Sequence, residues 1–448
     1  FRGFDSTGPY ISAGSFTADG HGNLLNGLED VNRTSGPVND ISFTGTYSVT
    51  PDNRGVLAIT TASGSSTFAF ALGATGQIAR FIEFDTSGVR GSGILKARTA
   101  SPFSNSTLNG VYVLGVTGAE SSSARVGVLG TLFFDGSGGI SGSELDVNDG
   151  GNVLPTFINF PGNYSIDATG RGTVALFLSG FAGNTLHFAV YVVSSTDVVL
   201  VSTDPFVAPS PILSGELFEQ ASSLPSASTL QGPTIFGMTG VSQGFADASI
   251  GQISFDGHST ATMLFDENSG GIITNGQLTG GYNVLVTGRT NLNLVNFKTH
   301  TSTTLIAYVI ADNTAFLMDT TASVRFGALQ TQLAAPPFTN GALLGAFALA
   351  PDLAVLSGPT LASGVLSFDG VSAVTGTEDT SQTSGINSGV PLAGTYAVST
   401  SLNNGRSQLK LVSPAPQNMV LWIVSNSQFI GLDIDPTNTS PTVLVVSQ

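Results

Sequence analysis

The chain contains no cysteine. That removes thiol catalysis, disulfide staples and Cys-ligated zinc or iron–sulfur centres together. Charge is scarce too: Asp, Glu, Lys and Arg make up 10% of the 448 residues, against about a quarter in an ordinary soluble domain. Lysine occurs only at Lys96, Lys298 and Lys410, tryptophan only at Trp422, and histidine four times. With a formal charge of −16, no basic face is available for nucleic acid or an anionic membrane surface. No apolar run reaches the roughly 18 to 20 residues of a membrane-spanning helix. The longest, such as Phe188 to Val193, have the length of a buried strand.

What the chain has is glycine, at 56 positions, and apolar residues at 41%, including 29 Phe. That is enough apolar material for a folded core and argues against disorder. The surface must then be built from Ser, Thr, Asn and Gly.

The same punctuation recurs four times. A Gly-x-[apolar]-x-x-Asp-Gly phrase runs from Gly14 to Gly20, Gly130 to Gly136, Gly251 to Gly257 and Gly364 to Gly370, its starts 116, 121 and 113 residues apart. A Gly-x-Tyr or Gly-Gly-Tyr phrase follows at Tyr47, Tyr164, Tyr282 and Tyr396, and then an arginine at Arg54, Arg171, Arg289 and Arg406. Two phrases holding one mutual spacing over four periods imply four copies of one domain, each long enough to hold its own core.

The second copy is read most easily. Segments rich in Val, Ile, Phe, Tyr and Thr run over Val111–Thr117, Arg125–Phe134, Gly139–Val147, Thr156–Ile166, Gly172–Ser179, Thr185–Ser194, Asp197–Ser202 and Ile212–Glu219, each bounded by turn residues. Helical periodicity is missing, and interior glycines oppose helices by about 1 kcal/mol each. The fold class is therefore all-β, with eight strands per copy. Short successive turns favour a meander closed as an antiparallel up-and-down barrel. A β-sandwich is the alternative. The expected domains are 1–98, 107–220, 229–332 and 340–448, joined by short Ser-, Pro-, Ala- and Thr-rich linkers. In the first copy the offset from Gly14 places most of the first strand before Phe1, so its barrel is expected to have an unpaired gap. Beginning without methionine and ending in a strand-like segment, the chain is expected to have had a leader or further sequence.

Catalytic patterns are thin. Gly240-Val241-Ser242-Gln243-Gly244 has the Gly-x-Ser-x-Gly spacing, but a nucleophile elbow needs a strand, a strained turn and a helix, and no helix follows. It reads as a hairpin tip. His21, His187, His258 and His300 show no ligand spacing and read as turn residues. The best recurring polar feature is an acidic pair after the third strand: Glu29 with Asp30, Glu144 with Asp146, Asp266 with Glu267, and Glu378 with Asp379. Asn32, Asn148 and Asn268 follow in the first three copies. Such carboxylates are candidate Ca²⁺ ligands, or else charges guarding a strand end. The repeated arginines, placed across a turn, read as braces to an aromatic ring or to a carboxylate on a neighbouring strand.

The Gly-x-[apolar]-x-x-Asp-Gly phrase, Gly-Thr-Tyr47 and the closing Gly-x-Leu95 in an eight-strand meander resemble a calycin-type or avidin-like barrel. They also resemble uncharacterised secreted Gly/Thr-rich bacterial repeat proteins. Avidin-like capture uses several tryptophans, and this chain has Trp422 alone, so no site residue carries over. The expected function is a non-enzymatic extracellular or cell-surface structural protein without a cofactor, its partner being itself. It would assemble head to tail as a filament, sheath or surface layer, with strand complementation at the open first barrel. An adhesin for carbohydrate or another surface ligand, or an array of small-ligand barrels, is the alternative.

Overall fold

The computed structural model describes residues 1–99, 102–121, 124–221, 224–296, 301–351 and 360–448. Lys298 and His300 lie outside the described residues.

Each copy is a closed antiparallel barrel of eight strands in up-and-down order. In barrel 1 the strands are Arg2–Asp5, Gly8–Ala18, Asn23–Arg33, Val38–Val49, Arg54–Thr61, Gly64–Leu72, Ile78–Glu83 and Arg90–Lys96. In barrel 2 they are Asn109–Ala119, Arg125–Asp135, Gly139–Asp149, Phe157–Ile166, Arg171–Phe177, Thr185–Ser194, Asp197–Ser202 and Ile212–Glu219, plus a two-residue strand Asn152–Val153 beside the third. Barrel 3 has Gln231–Ser242, Phe245–Asp256, Thr260–Ser269, Ile272–Val284, Arg289–Val295, Ser302–Ala311, Thr314–Asp319 and Phe326–Thr331. Barrel 4 has Leu344–Pro351, Leu361–Asp369, Ala373–Gln382, Gly385–Val398, Arg406–Ser413, Gln417–Ser425, Gln428–Asp433 and Val443–Ser447. The sandwich alternative is thereby excluded, since in every copy the first strand pairs with the last.

Barrel 1 corrects one expectation. Its first strand has four residues, against eleven in barrel 2, but Arg2–Phe4 pair with Ser92–Arg90 on one side and Arg2–Asp5 with Ile11–Gly8 on the other. The expected gap is absent, because a short strand suffices to close the sheet.

The recurring phrases have distinct structural tasks. In the Asp-Gly turns, Asp135 Oδ1 accepts from the backbone N–H groups of Ser137, Gly138 and Gly139. Asp256 and Asp369 do the same for the residues two to four positions on. The glycine after each aspartate has φ near +75° (74 to 77 across the four copies), a conformation that penalises a side chain. Backbone donors hold the Asp135 and Asp256 carboxyls down at about 2. Tyr164, Tyr282 and Tyr396 each donate one hydroxyl toward two carbonyls of the 3₁₀ turn that precedes their barrel: Asn105 and Leu108, Ala227 and Leu230, Asn340 and Leu343. One tyrosine thus ties the incoming connection across the barrel end.

The connections are not free linkers. Thr99 donates its N–H to Val193, Ala221 to Ile310, and Leu333 and Ala334 to Val424, so each connection is stitched to the sixth strand of the barrel that follows. The barrels themselves meet face to face. The first three strands of barrels 1, 2 and 3 pack on the sixth to eighth strands of barrels 2, 3 and 4. The first two strands of barrel 4 pack on the sixth and seventh of barrel 1 in the same sense. Four barrels related by one repeated contact close into a ring.

Candidate functional site

The recurring arginines and aspartates meet at these four junctions. The phrase glycine fixes the register. Ala13, Leu129, Ile250 and Ser363, each just before that glycine, sit opposite Asp30, Asp146, Asp266 and Asp379 on the third strand. All four aspartates are buried and point out of their own barrel at the next one.

Between barrels 1 and 2, Arg171 donates Nε to Asp30 Oδ2 at 2.8 Å and Nη2 to Oδ1 at 2.7 Å, and Tyr191 donates its hydroxyl to Oδ2 at 2.6 Å. Between barrels 2 and 3, Arg289 meets Asp146 at 2.6 and 3.0 Å and Tyr308 donates at 2.7 Å. Between barrels 3 and 4, Arg406 meets Asp266 at 2.9 and 2.6 Å, and the lone tryptophan, Trp422, donates its indole N–H at 3.0 Å. Between barrels 4 and 1, Arg54 Nη1 reaches both oxygens of Asp379, at 3.0 and 2.9 Å. The braces expected within a barrel are therefore links between barrels.

Each arginine opens a fifth strand and faces one residue of the sixth: Tyr191, Tyr308, Trp422 and, in barrel 1, Ala71. That pairing explains why the three complete locks contain an aromatic donor and the fourth does not. Burial alone would raise the Asp30 carboxyl, but the hydrogen bonds from Arg171 and Tyr191 bring it below its ordinary range. In turn the bond to Asp30 raises the Arg171 guanidinium, and that to Asp146 raises Arg289.

The asparagines two residues on add a second tie. Asn32 Nδ2 donates to the carbonyls of Ser202 and Asp204, Asn148 to Asp319 and Thr321, and Asn268 to Asp433 and Asn438. Barrel 4 has Ser381 in this place, and its carbonyl accepts from Arg90 of barrel 1. Apolar contacts surround each lock. Val113 and Leu129 pack on Ile306, Phe316 and Met318; Ile235 and Ile250 on Val420, Ile430 and Leu432; Ile11 on Ala189, Val201 and Ile212. At the 4–1 junction the buried cluster shrinks to Ala69, Ile82, Phe84 and Leu361.

The remaining candidate Ca²⁺ ligands scatter. Glu144 accepts from the Thr287 hydroxyl and Glu267 from Arg325, while Glu29 and Glu378 sit opposite the phrase glycines. Among the described residues no group of three or more His, Asp or Glu could hold a metal ion. Ser242 ends one strand and pairs with Phe245 across the two-residue turn Gln243–Gly244, with a strand following it. His21 and His258 cap their own Asp-Gly turns, and His187 bonds Asp204.

Sequence reasoning missed the aromatic donors. Tyr191, Tyr308 and Trp422 lie 20, 19 and 16 residues after their arginines, because the hairpin between fifth and sixth strands varies in length, so no fixed spacing exposes them. The sequence matches no family model and no curated protein.

Proposed function

We propose that this chain is a non-enzymatic structural protein of the cell exterior whose working unit is the ring of four barrels, a building block for a sheath or surface layer. One observation carries the reading: the Arg and Asp that recur in every copy, and the Asn of the first three, are spent on holding one barrel to the next. A site built for chemistry would leave such groups facing a cavity. Closed barrels without sheet edges, a lysine-poor surface and no cysteine suit exposure to proteases and to an uncontrolled redox environment.

The ring changes the expected mode of assembly. Head-to-tail growth would use the first-to-third-strand face of one end and the sixth-to-eighth-strand face of the other, and these meet within the chain at the 4–1 junction. Larger assemblies then grow through the flat faces or outer rim of the ring.

Electron microscopy with light scattering on the purified chain tests the reading. Discrete four-lobed particles that stack or tile as concentration rises are expected. Open rods of variable curvature, or hydrolytic turnover abolished by Ser242→Ala, would refute it.

A further inference from the structure

The four barrels are not filled alike. At the end away from Tyr164, barrel 2 is plugged by Phe157, Phe160, Leu178, Phe181 and Phe188, with Leu178 and Phe181 supplied by the connection between its fifth and sixth strands. In barrel 4 that connection is only Pro414-Ala415-Pro416. Leu392 stands where barrel 2 has Phe160, four residues before the recurring tyrosine, and Met419 where it has Phe188, three before the sixth-strand aromatic. Glu378 takes the register position of Leu145 and Phe265, opposite the phrase glycine.

The result is a cavity of about 300 Å³ at the end of barrel 4, the lower limit of the size range of small-molecule sites. The rest of the barrel 4 core includes the packed rings of Phe347, Phe368, Tyr396 and Phe429. The cavity's polar lining includes two carboxylates, Glu378 and Asp433, with the amides of Gln417 and Asn438; among the described residues no Lys, Arg or His lines it. Gln417 and Asn438 are both turned onto Asp433 Oδ2, each at 2.8 Å. Glu378 accepts no hydrogen bond from the described residues. A chamber lined in part by Leu and Met side chains, with one unengaged carboxylate and no cation among its described lining residues, complements an organic cation.

We propose that the cavity at the end of barrel 4 away from Tyr396 binds a small amphipathic amine, its apolar body against Leu392 and Met419 and its ammonium on Glu378. This goes beyond a structural role and gives one barrel of the ring a ligand. The carboxylates exclude anionic ligands, and the three-residue connection Pro414–Pro416 supplies none of the apolar side chains that the longer connection puts into barrel 2.

Benzylamine is the probe, with benzyl alcohol and benzoate as controls of the same shape. Calorimetric titration of the full chain should show saturable binding of benzylamine in the millimolar range or tighter. Benzyl alcohol should bind at least tenfold more weakly and benzoate not at all. Glu378→Gln, nearly isosteric, should weaken benzylamine at least tenfold. Leu392→Phe, which restores the barrel 2 residue, should abolish binding while the circular dichroism and melting temperature remain those of a folded ring. No saturable binding, or binding kept by Leu392→Phe, would place the molecule elsewhere and overturn the proposal. Equal affinity for alcohol and amine, or indifference to Glu378→Gln, would overturn its chemistry.

Discussion

Asp146→Ala removes the centre of one complete lock. Asp146 is 1% exposed and accepts four hydrogen bonds, two from Arg289, one from Tyr308 and one from Thr156. Its loss leaves a guanidinium whose side chain is 15% exposed and a fully buried phenol without their acceptor. Breaking a buried pair from one side costs about 3 to 5 kcal/mol, and the partial access of water to Arg289 places this case near 3. The same substitution at the 4–1 junction has a smaller effect. Arg54 there keeps Asp52 at 2.9 Å, Ala71 supplies no donor to strand, and the other donors to Asp379, the Ser388 hydroxyl and the Gly389 N–H, belong to exposed residues that regain water, so Asp379→Ala should cost about 1 to 2 kcal/mol. Urea unfolding of both variants measures the contrast, read by hydrogen exchange at each junction because a four-domain chain need not unfold in one step. Combining Asp146→Ala with Arg289→Ala should recover at least about 1 kcal/mol of the single loss, since the double variant buries no unpaired charge. If Asp146→Ala costs no more than Asp379→Ala, or if the two changes at one lock simply add, the locks do not hold the ring and the argument fails.

Four other outcomes follow from the same geometry. Amides of the 4–1 junction, on Gly64–Leu72 and Leu361–Asp369, should exchange faster than their counterparts at the other three junctions, because this interface has the smallest apolar cluster and no covalent connection; equal protection would contradict it. Glu83, 2% exposed, is pushed up to about 10 by burial and by Asp85, so the folded ring keeps a proton that the unfolded chain releases above about 4.5. Its stability should therefore fall as pH rises from there toward 10, by up to about 1.4 kcal/mol per unit, and Glu83→Gln should flatten that slope in melting curves. The Asp30 carboxyl is displaced downward, so its contribution is present above the ordinary aspartate range and is lost as pH falls below about 4; Asp30→Asn should remove that acid-limb loss at the 1–2 junction. Tyr282→Phe frees the carbonyls of Ala227 and Leu230 and should destabilise barrel 3 by about 1 to 2 kcal/mol in urea titrations, without changing the ring's shape in solution scattering.

The barrels were legible in the sequence and the ring was not. Strands alternate with turns whose chemistry is local: Asp135 caps the three amides that follow it, and Gly136 takes the positive φ the turn requires. Reading from such signals, the strands Thr185–Ser194, Asp197–Ser202 and Ile212–Glu219 come out with their observed ends. The Tyr-to-Arg spacing is likewise local, since both residues flank one hairpin. An Arg–Asp lock is instead a relation between copies. Arg171 and Asp30 are separated by a whole domain, and nothing in either copy says whether its arginine faces its own aspartate or its neighbour's.

A cue to the ring was nonetheless present. A buried aspartate and a part-buried arginine recur once per copy, so a string of four barrels with three contacts would leave one of each unpaired, Arg54 at one end and Asp379 at the other. Where the two ends meet, both charges are taken out of water, and since an unpaired buried charge costs several kcal/mol, each then needs the other. Arg54 and Asp379 do meet, 325 residues apart. The terminal copies otherwise lose the features that serve the lock, with Ala71 for the aromatic and Ser381 for the asparagine. The charge pair that closes the ring is kept, while the donors that would make it as tight as the other three are not. The closing junction thus has the least to hold it, with neither aromatic donor nor asparagine nor covalent connection, and should be the first of the four to open.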